Sequence, residues 1–344
     1  MGTGRSSSGA RERSGTGGAH GAAVAPAPAP REHWMDVVRG VAVSLVVLLH
    51  AAVIVEGRGE LPVPAWVDTA NDVVAPFRIP LLVMLSGMLL GPSLAKGSRR
   101  FLVGKLRAIG WPYLVWTGVF VVVTTRVEDT AAFLAGSTYL WYLLFLLAYY
   151  VAAWALRPVP AWLVAAAAYT GAVLAPEDTK YLERLLYLFA LFLLGHVVAG
   201  VLRAGGRFRT SPWTLVAGVA LLGLQVVLPA PLAGYGPGTL PATLGGFLLL
   251  SRLAQLTAGS RPAAPLRYVG ESSLVYYVSH FPVMLVASAV VTRTGLDDGT
   301  AVALACAVVA FGVGTVLAAQ RGRPAVRWLF LAPWGDPSRA GPRV

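Results

Sequence analysis

The sequence is short of charge, of cysteine and of any internal repeat. Asp, Glu, Lys and Arg together make up 13% of the 344 residues, while 56% are hydrophobic. A soluble domain of this size needs a polar shell that such a composition cannot supply, so the chain reads as an integral membrane protein. Its one cysteine, Cys306, lies inside an apolar run. That excludes a disulfide framework and a cysteine-built metal site, and no metal is expected. Residues 1–33 contain no apolar core of signal-peptide length; they are rich in Gly, Ser, Ala and Pro, include "APAPAP", and read as a disordered cytoplasmic tail. The lack of repeated or inverted halves removes a common mark of secondary transporters. Acidic residues are also outnumbered, leaving a formal net charge of +12. In a multi-span protein that excess belongs to cytoplasmic loops, so the expected partner is the lipid bilayer and no nucleic acid is needed to explain it.

What the chain has in quantity is apolar runs of near-bilayer length. They fall at 35–56, 71–91, 106–125, 138–156, 160–175, 184–202, 213–230, 240–257, 268–291 and 299–319. A hydrocarbon core requires roughly 20 residues of helix, and local thinning accommodates the short run at 160–175. The expected fold is therefore all-α, with ten transmembrane helices. With the N-terminus inside, most Lys and Arg fall in cytoplasmic segments, as the positive-inside asymmetry requires. Both termini are then cytoplasmic, and the chain divides into the tail 1–33, a transmembrane domain 34–320 and a basic cytoplasmic tail 321–344.

Ionisable groups at membrane depth are costly, so each is a functional candidate. Arg39 and His50 bracket "RGVAVSLVVLLH"; on a helix their separation corresponds to about 16 Å and a net rotation near 20°, so they share one face. Snorkelling to the cytoplasmic surface explains Arg39 taken alone, and an interhelical hydrogen bond explains a lone His50. Arg78 weighs against both. It sits in "NDVVAPFRIPLLVMLSGMLL", about seven residues below the external surface where His50 is about six below, on consecutive antiparallel helices. Pro76 and Pro80 bracket it and free backbone groups, which is tolerated where a helix lines a cavity or is buried in protein. In "YVGESSLVYYVSHFPVM" Ser273 and His280 share a face, with Tyr276 and Tyr277 a turn below the histidine. Serine and tyrosine satisfying each other is the plain alternative there. The run "KGSRRFLVGKLR" carries Lys96, Arg99, Arg100, Lys105 and Arg107, which either enforce topology or hold phosphates at a cavity mouth. An elongated anionic ligand fits these positions together. Acyl-coenzyme A has that shape, with a pantetheine arm on the order of 15–20 Å, comparable to three helical turns; polyprenyl phosphates and lipid head groups share its charge.

Arg39 with ten residues before His50, then "FRIPLLVMLSG", "RRFLVGKLRAIGWPYLVW", "YLWYLLFLL", "LFLLGHVVAG" and "GESSLVYYVSHFPV", resemble in order the motifs of the membrane acyltransferase 3 family. These are bacterial inner-membrane O-acyltransferases acting on glycans and related acceptors, and the likeness covers about 32–320. The form of the second-helix motif is similar to that of the fucose 4-O-acetylase-like branch. The resemblance implies that His50 is the catalytic histidine and Arg39 its essential partner. It implies too that Arg78 and Ser86 belong to the second-helix motif, that Arg99 and Arg100 engage coenzyme A, and that Ser273 and His280 are the polar positions of the late helix. Arg78 replaces the commoner aromatic, which bears on acceptor choice more than on reaction type. No SGNH-type esterase domain is expected after the last span, so transfer is completed by the membrane domain alone or with a separate envelope partner.

The expected reaction has His50 as general base on an acceptor hydroxyl, Arg78 stabilising the oxyanion, and Arg39, Arg99 and Arg100 holding the phosphates of acetyl-CoA. Ser86, Ser273, Tyr277 and His280 line the cavity. The acceptor is a sugar or glycan hydroxyl, and an acyl-histidine intermediate is the other route open to the same residues. The competing class is a multi-span transporter or exporter of an anionic or lipid-linked substrate, and a weaker third is a non-catalytic sensor on the same scaffold.

Overall fold

The computed structural model describes residues 1–2, 33–59, 61–204, 211–228 and 234–334. The described residues from 33 to 334 belong to one compact unit. The expected N-terminal tail lies almost wholly outside the described residues, as does the end of the C-terminal one. Between 33 and 334 the described residues are mostly helical, without strands. The helices are α1 (His33–Gly59), α2 (Ala65–Val74), α3 (Ile79–Met88), α4 (Leu90–Leu94), α5 (Ser98–Lys105), α6 (Trp111–Thr124), α7 (Thr130–Leu134), α8 (Trp141–Ala155), α9 (Ala161–Val173) and α10 (Lys180–Arg203). They continue as α11 (Trp213–Val227), α12 (Leu240–Thr257), α13 (Ala264–Glu271), α14 (Ser273–Val291), α15 (Gly299–Ala319) and α16 (Pro324–Phe330).

Each of the ten apolar runs forms helix. Five helical stretches are long and apolar enough to cross a membrane: His33–Gly57, Ser98–Thr124, Glu177–Arg203, Ser273–Thr294 and Gly299–Ala319. Trp141–Ala155, Ala161–Val173 and Trp213–Val227 are shorter apolar helices. An all-helical membrane protein is the result. The second run differs from the single helix expected over 71–91. It is α2, a short 3-10 turn at Ala75–Phe77 and then α3, with Arg78 at the break. The prolines set this division. Pro76 lies in the first turn of the 3-10 segment and Pro80 in the first turn of α3, where a missing N–H costs no helical hydrogen bond.

α1 is the central helix and packs on α3, α12, α13, α14 and α15. Two of its neighbours approach at backbone distance. A Cβ on Gly40 would overlap the Leu266 carbonyl, and one on Gly270 would overlap that of Asp36, so α1 and α13 touch main chain to main chain. Gly87 of α3 and Gly195 of α10 do the same against Phe192 and Met84. Between lipid-solvated helices, small residues that permit such contact supply the van der Waals gain that burial from water cannot.

The α5–α6 stretch is one helix with a π-helical turn at Leu106–Gly110, a form that recurs beside functional sites. The start of the expected C-terminal tail is docked rather than loose: the indoles of Trp111 and Trp116 donate to the carbonyls of Trp328 at 2.7 Å and Leu329 at 3.2 Å, and Arg107 donates to that of Ala332. This gives Arg107, one of the basic-run cations, a structural partner.

Candidate active site

The outer part of the site is a pair of histidines. His50, on the last turns of α1, brings Nδ1 to 2.8 Å from Nε2 of His280 on α14, with the rings stacked 5.0 Å apart. The other ring nitrogen of His280 lies 3.1 Å from the Tyr276 carbonyl. A carbonyl oxygen only accepts, so Nδ1 of His280 carries the proton and donates. In the neutral pair Nε2 of His280 is then the acceptor, and His50 must donate from Nδ1. The remaining nitrogen of His50, Nε2, is left with its lone pair.

Local structure explains why His280 is so firmly held. Pro282 sits inside α14, where it cannot donate to the Val278 carbonyl. The Tyr139 hydroxyl takes that place, donating to Val278 at 2.6 Å, and Tyr277 donates to the Tyr139 carbonyl at 2.6 Å. Tyr139 also sets its ring edge against His280 at 5.5 Å. His280 is 1% exposed, whereas His50 is only half-buried. The supporting imidazole is therefore enclosed and the supported one remains accessible.

Arg78 lies within electrostatic reach of His50, as the common depth on consecutive helices implied. It is 4% exposed, donates from Nη1 to Asn71 Oδ1 at 3.4 Å, and has no partner on Nε. Tyr235, in the loop before α12, places its phenol beside the same guanidinium. Among the described residues no carboxylate pairs with Arg78, so its charge is compensated only by dipoles.

The inner part is a cavity of about 160 Å³ lined by Arg39, Ser86, Tyr142, Ser273 and Tyr277, with Ala108 and Ile109 of the π-helical turn in its wall. Four of the residues read from sequence thus converge from α1, α3 and α14. The Arg39 guanidinium lines this space instead of pointing only to a membrane surface, and meets Asp36 at 3.5 Å. Ser86 returns its hydroxyl to the Leu82 carbonyl at 2.7 Å, and Tyr150 donates to the Ser86 carbonyl.

Arg99 and Arg100 stand elsewhere. Both are exposed at the start of α5 and neither lines the cavity. Lys105 from the same basic run turns inward, with Nζ 3.5 Å from the centre of the Tyr150 ring. A cation over an aromatic face is held electrostatically. His33, Asp36 and Glu271 bring one ligand atom each within 4.8 Å of one another, but Asp36 is engaged by Arg39, a cation that opposes a second positive charge.

Sequence reasoning passes over Asp36, Asn71, Tyr139, Tyr142 and Tyr235. Asp36 had a signal in its i, i+3 spacing to Arg39, and Tyr139 opens the motif "YLWYLLFLL". Asn71 and Tyr235 are exposed to no periodicity that would mark them. No curated protein and no solved structure matches the chain significantly. A family model described as an acyltransferase domain matches residues 32–319, nearly the whole transmembrane part and every side chain of the site. The chain belongs to the acyltransferase 3 family of membrane acyltransferases.

Proposed function

We propose that this protein is a multi-pass inner-membrane O-acyltransferase that moves an acetyl group from acetyl-CoA to a hydroxyl of a glycan or related acceptor, with His50 as general base. The observation that carries the reading is the His50–His280–Tyr276 chain, because it leaves the Nε2 lone pair of His50 available to take a proton. Nε2 accepts the acceptor's hydroxyl proton as that oxygen attacks the thioester carbonyl. The carbonyl electron pair moves to oxygen, where Arg78 supplies positive charge; a well-placed donor at such an oxyanion is worth about 3–4 kcal/mol. Collapse re-forms the carbonyl and breaks the C–S bond, and the proton on His50 passes to the departing coenzyme A sulfur. Base and charge are therefore restored for the next turnover.

The inner cavity suits the donor. Arg39 and the hydroxyl-rich wall lie about three helical turns from His50, which matches a pantetheine arm. Arg99 and Arg100, exposed at the start of α5, receive the phosphates on this reading, and no metal takes part. A separate envelope partner receives or presents the glycan where the acceptor lies beyond the membrane. The motif form of the second helix favours an acceptor of the kind used by the fucose 4-O-acetylase-like branch.

The test is release or transfer of label from radiolabelled acetyl-CoA by protein in nanodiscs, comparing wild type with His50→Gln. Glutamine can still donate to His280 but cannot take up a proton, so turnover should fall on the order of 10²–10⁴-fold while acetyl-CoA binding stays within about twofold. Equal turnover in the variant would remove His50 from the chemistry. Lost acetyl-CoA binding would make it a structural residue.

A further inference from the structure

We propose that the outer end of the bundle carries an acceptor subsite for an acidic sugar, formed by Trp141, Arg184 and Tyr235 beside Arg78. This rests on the acyltransferase reading and deepens it by naming the chemistry of the acceptor. Trp141 is the first residue of α8, Arg184 lies near the start of α10, and Tyr235 comes from the loop that leads into α12. Their helices run separately through the bundle and bring these three side chains together only here.

The Trp141 and Tyr235 rings lie 6.0 Å apart, tilted by 38°. The Arg184 guanidinium carbon sits 5.3 Å from the centre of the Trp141 ring and 5.8 Å from that of Tyr235. Two aromatic faces give the C–H surface of a sugar ring a platform, and a planar guanidinium gives a carboxylate or phosphate paired donors. Among the described residues no carboxylate pairs with Arg184. Glu183, its neighbour on α10, packs its carboxylate against the backbone at Gly236 instead. A neutral sugar would use the rings and leave that guanidinium unanswered; an acidic one engages both.

Tyr235 also gives the subsite its direction. Burial pushes its phenol above the ordinary value, with Arg78 and Arg184 pulling back, so it keeps its proton. With Arg78 donating to the phenol oxygen, the O–H remains free to donate to a ligand. On the far side of Tyr235 stands Arg78, buried, with Nε lacking a partner, and beyond it His50. An acid group on Arg184 is thus one tyrosine away from the group that neighbours the base, and a ring stacked over Tyr235 presents a hydroxyl toward His50. The acid is a carboxylate or a phosphate, which the same donors serve equally.

The experiment is binding of trigalacturonate, galactose 6-phosphate and galactotriose to the full chain in nanodiscs, for wild type, Arg184→Gln and Arg184→Lys. The expected result is that one acidic probe binds at least about tenfold more tightly than galactotriose, as one lost charge-assisted bond implies. Arg184→Gln should erase that preference and Arg184→Lys keep part of it, with acetyl-CoA binding unchanged as proof of fold. Which acidic probe prefers the wild type separates carboxylate from phosphate. Equal binding of acidic and neutral probes, or a preference that survives Arg184→Gln, overturns the subsite. Repeating label release with His50→Gln keeps the two readings apart. Acidic-sugar binding without His50-dependent release would remove the acyltransferase and leave the subsite; release without acid preference would do the reverse.

Discussion

At the inner end of the α1 face, Arg39 meets the carboxylate of Asp36 at 3.5 Å and borders a cavity lined with hydroxyls. At the outer end, Arg78 is 4% exposed with an amide and a phenol for company, and no carboxylate among the described residues. A cation already neutralised keeps a fixed orientation and needs no new counter-charge. One held only by dipoles is poised for charge that arrives during a reaction, because a guanidinium cannot shed its proton to escape burial. The difference accords with the proposed function, in which the inner end holds the donor and the outer end does the chemistry.

The largest effect that would break this division comes from His280. His280→Ala removes the acceptor for the His50 Nδ1 proton, so His50 can adopt the other tautomer; turnover should drop on the order of 10²–10⁴-fold, as when the orienting member of a catalytic triad is lost. The Michaelis constant for acetyl-CoA should hardly move, and His280→Gln, which keeps an acceptor, should recover part of the rate. Steady-state kinetics of the three proteins checks this, and an effect confined to KM would place His280 with the inner end.

A smaller, opposite signature belongs to Arg39. Arg39→Gln should raise KM for acetyl-CoA about tenfold, the value of one charge-assisted bond, with kcat little changed. The change also takes the Arg39 charge away from the buried Asp36 carboxylate, so the double variant Asp36→Asn, Arg39→Gln should regain thermal stability without regaining affinity. A fall in kcat equal to that of His280→Ala would erase the distinction between the two ends. Smallest of all should be Arg99→Gln and Arg100→Gln. Both side chains are exposed, so their contribution to KM should be about threefold or less at low ionic strength and vanish near 0.5 M salt, where the screening length is a few ångström.

Much of this arrangement was legible in the chain. Apolar length marks all ten runs; helical spacing marks the faces that carry Arg39, Ser273 and Tyr277, while Ser86 was marked by the family motif alone, and the four border one cavity. Equal depth brought Arg78 near His50. The contact between His50 and His280 was not legible, although both residues were. Periodicity gives the face of each helix, while the rotation of α14 against α1 depends on the Tyr139 and Tyr277 hydrogen bonds and on the carbonyl freed by Pro282. The break at Arg78 was half-visible: two prolines signal freed backbone, but where the helix parts depends on what packs against it. Tyr235, Asn71 and Arg184 carry no periodic signal because each joins the site from a helix end or loop.

The main-chain contacts at Gly40 and Gly270 have a consequence for how this scaffold can diversify. Gly40 adjoins Arg39 and Gly270 lies three residues before Ser273, so the spacing of the α1 and α13 backbones at the proposed donor site is fixed by atoms that every amino acid shares. On the proposed function, side chains at the outer end can be exchanged for new acceptors without moving the donor's anchor. Novelty in one substrate is thereby uncoupled from retention of the other, and the two glycines are the positions at which such a lineage has least freedom to drift.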